Sequence, residues 1–178
     1  ELKYRLEKIY RKEVVVLRHR PGVLPILSAW IHGKEKAEKI SVQNLPRQGA
    51  NKSSISSLLR FTYYFSDYLF GQLIIWFRYS LQGKIVIYDR YYFDFMVDAK
   101  RSNISIDARI TRLLYSLIIK PQFNFFLFES PSVILARKQE LSRVDIISLT
   151  SKYKHLFSDF EGKYAQSYVA IKNKDINR

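Results

Sequence analysis

Asp89 and Arg90 stand side by side directly after the apolar run KIVIY, residues 84 to 88, and Tyr91 follows them. A carboxylate at the end of a buried strand can hold Mg²⁺ or its waters, and a neighbouring guanidinium can grip phosphate oxygens with two parallel hydrogen bonds. Phosphoryl transfer needs both groups. The dipeptide alone has an equally simple structural reading, an Asp–Arg pair that closes a strand end. Asp94 and Asp98, with Arg101, follow at helical spacing. They suit the lining of an acceptor site, and they suit a capped surface helix as well. His19, His32 and His155 show no spacing fit for zinc or for a nucleophile triad. With zero cysteines, a disulfide framework, a thiolate nucleophile and Cys-ligated zinc are excluded.

The elements that must position these groups are legible in the apolar pattern. Leu2, Leu6 and Ile9 recur at helical spacing, so residues 1 to 11 read as the tail of an amphipathic helix. EVVVLR, residues 13 to 18, is a β-branched run that reads as a buried strand ended by Arg20-Pro21-Gly22. Residues 33 to 52 are polar, with two Gly and one Pro, and read as a mobile surface excursion. Ser53 can cap a long helix from about Ser54 to Gln82. KIVIYD is the second strand, and the segment RYYFDFMVDAKR after it reads as a functional loop. A helix over residues 107 to 119 is stopped by Pro121, and NFFLFE, residues 124 to 129, is the third strand. Pro131 suits the first turn of a helix through Arg137 to Leu141. A last helix covers about Asp145 to Phe157, and YVAIKN, residues 168 to 173, is the fourth strand. Strands that alternate with helices predict an α/β fold, a parallel sheet covered on both faces, with ligands at the carboxyl ends of the strands.

One domain is the natural size for 178 residues. Hydrophobic residues at 47% and charged residues at 26% exclude a disordered chain. The net charge of +14 points to anionic partners: nucleotide phosphates, nucleic acid or an acidic membrane surface. The most apolar stretch, Leu69 to Phe77, is interrupted by Gly71 and Gln72 and is too short for a span of about 20 residues. No membrane partner is expected.

With these residues in view, the chain resembles the thymidylate-kinase-like branch of the nucleoside monophosphate kinases. The resemblance is carried by QGKIVIYDRYYFD, the long helix before it, PQFNFFLFESPSVILARKQEL and the closing YVAIKNKD. It implies a three-layer P-loop NTPase fold, ATP and Mg²⁺ as cofactors, small nucleotide substrates and a cytoplasmic location; a homodimer is left open. Asp89 would support the metal, and Tyr91 completes the Asp-Arg-Tyr motif bordering both nucleotide sites. Arg90 and Arg137 would neutralise charge during transfer, Arg137 from the lid side. RHRPGVLP, residues 18 to 25, looks like a branch of these kinases with poorly assigned substrates, and it places Arg18 and Arg20 beside the acceptor pocket, unless they are surface charges. Authentic thymidylate kinases carry an acceptor-gripping arginine on the preceding helix. Here that segment reads TYYFSDYLFG with Asp67, and Arg60 lies about two turns earlier. Tyr63, Tyr64 and Tyr68 of this helix can stack on a base or pack in the core, packing being the expectation.

G-x-x-x-x-G-K-[ST], the loop that cradles β and γ phosphates, does not occur in the sequence. The resemblance puts that loop, and a central first strand, just upstream of Glu1. The chain is therefore expected to be part of a longer protein, lacking that strand and a last helix after Asp175. The expected function is phosphorylation of a nucleoside monophosphate or a related small acceptor. The alternatives are a catalytically inactive kinase-fold remnant and a basic nucleic-acid-binding module. Nucleic acid is not the expected partner, because no RNP-like or helix-turn-helix pattern accompanies the charge.

Overall fold

The computed structural model describes residues 1–18, 20–24, 53–137 and 139–173. The segment expected to form a surface excursion, His19, His32 and the end of the chain after Asn173 lie outside the described residues. Contacts cluster into two units, Glu1–Ile119 and Lys120–Arg178.

In the first unit, helix α1 (Leu2–Tyr10) ends where Arg11 turns into the left-handed region and donates its N–H to the Glu7 carbonyl. Along its apolar positions Leu6 is half-buried, while Leu2 and Ile9 are exposed. Glu7 reaches forward to accept from the Val14 N–H at 3.1 Å, which ties the helix to strand β1 (Val14–Arg18). β1 pairs in parallel with β2 (Ile85–Asp89), in register from Val14↔Ile85 to Arg18↔Asp89. Between them runs α2 (Ser54–Ile75), capped as the sequence predicts by the Ser53 side chain accepting from the Ser56 N–H. It continues into a π-helical turn, Trp76–Ser80, where the Leu81 N–H reaches back to the Trp76 carbonyl. Such turns insert one extra residue per bond.

The segment read as a loop after β2 is instead a short helix, α3 (Phe93–Val97), followed by a 3₁₀ turn, Ala99–Ser102. Its aromatic residues account for the difference. Phe93, Phe95 and Met96 are buried, and Tyr92 and Phe95 join Phe61 and Tyr68 of α2 in edge-to-face contacts at 5.4 to 5.9 Å and one tilted contact at 6.5 Å. Such pairs stabilise beyond their area, by roughly 0.5–1.5 kcal/mol each, and the segment gains them by coiling. Helix α4 (Ala108–Leu114) and a 3₁₀ turn, Tyr115–Leu117, close the unit, with Tyr115 stacked on Tyr92 at 5.8 Å.

The second unit contains strand β3 (Phe123–Phe128), helices α5 (Pro131–Arg137) and α6 (Arg143–Glu161), and strand β4 (Ser167–Lys172), which pairs in parallel with β3. Phe126 stacks on Tyr153 of α6 at 4.8 Å, and Phe157 and Phe160 meet Tyr168 edge-on. Buried Asn124 donates to the carbonyls of Pro121 and Ser167, fastening the start of β3 to the start of β4.

The class is thus α/β, with short parallel sheets. Among the described residues the four strands form two two-stranded sheets, β1–β2 and β3–β4. On β3 and β4 the side chains of Phe123, Phe125, Leu127, Val169 and Ile171 are exposed. Among the described residues no helix is long and apolar enough to cross a membrane.

Candidate functional site

The register of the first sheet sets Arg18 beside Asp89 at the carboxyl ends of two neighbouring strands. Paired strands lie about 4.8 Å apart, and in-register residues of a parallel pair face the same side. Both residues are exposed. Among the described residues neither side chain has a hydrogen-bond or ion-pair partner. The next residue, Arg90, has φ of 81°, a left-handed backbone that non-glycine residues adopt at a cost. Its guanidinium folds onto Asp94 of α3, Nη1 to Oδ2 at 3.1 Å, with both side chains still in reach of water. Arg18, Asp89, Arg90 and Asp94 are therefore brought to one sheet edge.

Arg20 and Asp67 behave differently. Asp67 is completely buried and its Oδ2 takes the Arg20 Nη1 at 2.7 Å and the Gly22 N–H at 3.0 Å, while Oδ1 takes the Leu24 N–H at 2.9 Å. The Arg20 guanidinium also lies over the Tyr64 ring at 5.1 Å. Two residues expected to face an acceptor thus satisfy each other, and what they fix is the loop leaving β1. Gly71, one turn beyond Asp67, lets that loop approach: a Cβ there would lie 2.8 Å from the Pro21 Cβ.

Tyr91 is buried as well. Its hydroxyl accepts from the Gln72 amide at 2.9 Å and donates to the Ile119 carbonyl, and the Tyr88 hydroxyl donates to the other end of Gln72 at 2.8 Å. Burial pushes the phenols of Tyr68, Tyr88 and Tyr92 above the ordinary tyrosine value. Tyr68 is 2% exposed and packs in the core, as expected. Asp98 is buried, so it lines no open surface. Arg60 is half-buried on α2, and its Nε has no partner among the described residues. Arg137 ends α5 in the second unit, and it is exposed. His155 sits on the exposed side of α6 with Asp159, i,i+4 at 3.2 Å. An open groove of about 470 Å³ beside α2 and α4, lined by Leu58, Phe61, Phe65 and Ile110, contains none of the candidate residues.

Gln72 and Tyr88 were missed by sequence reasoning. A polar residue inside the apolar run LFGQLII was the available signal, because an amide in such a setting needs buried partners. Among the described residues no group of three or more His, Cys, Asp or Glu side chains converges as a metal site. The exposed carboxylate of Asp89 beside two arginines suits one coordination position of a phosphate-bound cation, or its water shell. The β and γ phosphates of ATP need a run of backbone N–H groups and a lysine, and no such segment occurs in this sequence.

The sequence matches no protein-family model and no curated protein.

Proposed function

We propose that this edge binds the phosphate of a small acceptor, and that the chain belongs to an ATP-dependent phosphotransferase of the thymidylate-kinase-like class, acting on a nucleoside monophosphate or a related compound. One observation carries the reading. Arg18 and Asp89 end adjacent parallel strands, their charges unpaired among the described residues, and Arg90 holds a strained backbone beside them. Strain of this kind, of order 1–3 kcal/mol, gathers at functional sites. Two guanidinium groups can clamp a phosphate, and the carboxylate can carry Mg²⁺ or orient its waters.

The strand pairing supports the α/β class. β1 pairs in parallel with β2 and β3 with β4, as the strands of an α/β domain do. ATP, Mg²⁺ and the charge-neutralising role of Arg137 rest on the family resemblance alone. Asp67 and Arg20 position the β1 loop in this reading, and Tyr91 supports the site from beneath through Gln72.

Isothermal titration with nucleoside monophosphates tests the proposal. Affinity should fall at least tenfold in Arg18→Ala and in Arg90→Ala with the circular dichroism unchanged. Equal affinity in both variants, or no affinity of the parent chain for any monophosphate, would overturn it. Polynucleotide binding that collapses with salt, in place of monophosphate binding, would instead favour the nucleic-acid module.

A further inference from the structure

Strands β1 and β2 also begin side by side. The Ile85 N–H donates to the Glu13 carbonyl at 2.9 Å, and the Lys84 ammonium reaches the Glu13 carboxylate at 2.7 Å. The turn that leads out of the π helix is tied to the same end: the Lys84 N–H donates to the Tyr79 carbonyl at 3.1 Å and the Leu81 N–H to the Trp76 carbonyl at 2.9 Å. Arg78 and Lys84 both lie against the Tyr79 ring, at 5.7 and 5.8 Å. From Tyr10 to Glu13 and from Trp76 to Lys84 the charged residues are Arg11, Lys12, Arg78 and Lys84 against Glu13 alone. Beside these cations the turn presents three large apolar side chains. Trp76, Phe77 and Leu81 are 43, 61 and 56% exposed, and the rings of Trp76 and Phe77 meet edge-on at 5.0 Å. The five-residue spacing of the Leu81–Trp76 bond sets Leu81 one turn beyond Trp76, so that the three form one tip.

We propose that this end of the first unit docks on an anionic lipid surface, with Trp76, Phe77 and Leu81 entering the headgroup layer and Arg11, Lys12, Arg78 and Lys84 meeting acidic headgroups. Interfacial binding draws on buried apolar area and on attraction to anionic lipid together, and tryptophan favours the depth where the two meet. A surface contact needs no spanning segment, so the lack of one does not bear on it. Charge selects this occupant. A second copy also carries +14 and would repel the cations, whereas an acidic surface complements them. A polynucleotide complements them too, but an aliphatic side chain such as Leu81 offers its bases no stacking face.

The contact does not rest on the phosphotransferase reading, and it leaves the other sheet edge free. Arg18, Asp89 and Arg90 stand at the opposite ends of the same strands, roughly 16 Å away at about 3.3 Å per residue.

Vesicle sedimentation and tryptophan fluorescence of the full chain test the proposal. Vesicles of phosphatidylcholine with about 30% phosphatidylserine should bind it, pure phosphatidylcholine should not, and added salt should weaken binding. Emission should shift to the blue on binding, and Trp76→Phe should lose the shift while still binding. The double variant Lys12→Gln, Arg78→Gln should bind roughly 25-fold more weakly, about fivefold for each cation. Phe77→Asp with Leu81→Asp should cost at least tenfold, with the circular dichroism unchanged. A parent chain that ignores the acidic vesicles overturns the proposal. So does binding that survives loss of the apolar tip, which would be a purely electrostatic contact, or binding lost in Arg18→Ala but kept in both double variants, which would move the lipid to the other sheet edge.

Discussion

The guanidinium of Arg20 and the carboxylate of Asp67 are 2.7 Å apart, and the carboxylate has no exposure to solvent. All three donors on that carboxylate, the Arg20 side chain and the N–H groups of Gly22 and Leu24, come from the loop after β1. The aspartate works as an anchor for the chain itself.

Asp67→Ala should therefore destabilise the fold by about 3 kcal/mol or more, because removing one partner leaves a largely buried guanidinium and two N–H groups uncompensated. The midpoint of urea unfolding measures this. A loss below about 1 kcal/mol would show that the pair contributes little.

Gly71→Ala probes the same joint from the other side. The added Cβ meets the Pro21 Cβ at 2.8 Å and the Asp67 carboxylate at 3.2 Å. Overpacking of this kind costs roughly 1–3 kcal/mol, in spite of the better helix propensity of alanine. Thermal melting of the variant should show a lower midpoint, and an unchanged or raised midpoint would mean that the loop yields easily.

Adjacent tyrosines should respond in opposite directions. Tyr91→Phe strips partners from Gln72 and from the Ile119 carbonyl, at a cost of about 1–3 kcal/mol. The Tyr92 hydroxyl is buried with no partner among the described residues, so Tyr92→Phe should be neutral or stabilise by about 1 kcal/mol. Paired denaturation curves decide the matter, and a large loss in Tyr92→Phe would reveal a partner for that hydroxyl.

Burial raises the folded-state pKa of Tyr68, Tyr88 and Tyr92. Their neutral phenols favour the fold. The resulting stability is complete below the unfolded value of about 10, and it is lost as the pH climbs from there toward the folded values. Tyrosinate absorbance should rise in two stages above pH 10, the later one coinciding with unfolding. A single smooth rise over all 13 tyrosines would contradict the burial.

The four strands could be read from β-branched and aromatic runs, and Asp89-Arg90 could be placed at a strand end, because both rest on local pattern. The cap at Ser53 is local too. Ser142 was equally legible: its side chain and Asp145 form a reciprocal cap that starts α6 at Arg143, two residues before the expected Asp145. The role of Asp67 was not readable, since its partners lie some 45 residues away in sequence and nothing local distinguishes an anchoring carboxylate from a binding one. The coiling of residues 93 to 97 depends on aromatic partners supplied by α2, again a long-range matter. The π turn at Trp76 carries no sequence signal that we can identify.

Arg90 keeps φ at 81°, where glycine would rest at ease. A variant with glycine there should melt at a higher temperature and yet be poorer at its work. If so, the turn after β2 is a point where selection for chemistry has outweighed selection for robustness, and heat tolerance gained at this one position would be a direct reading of what the arginine is kept for.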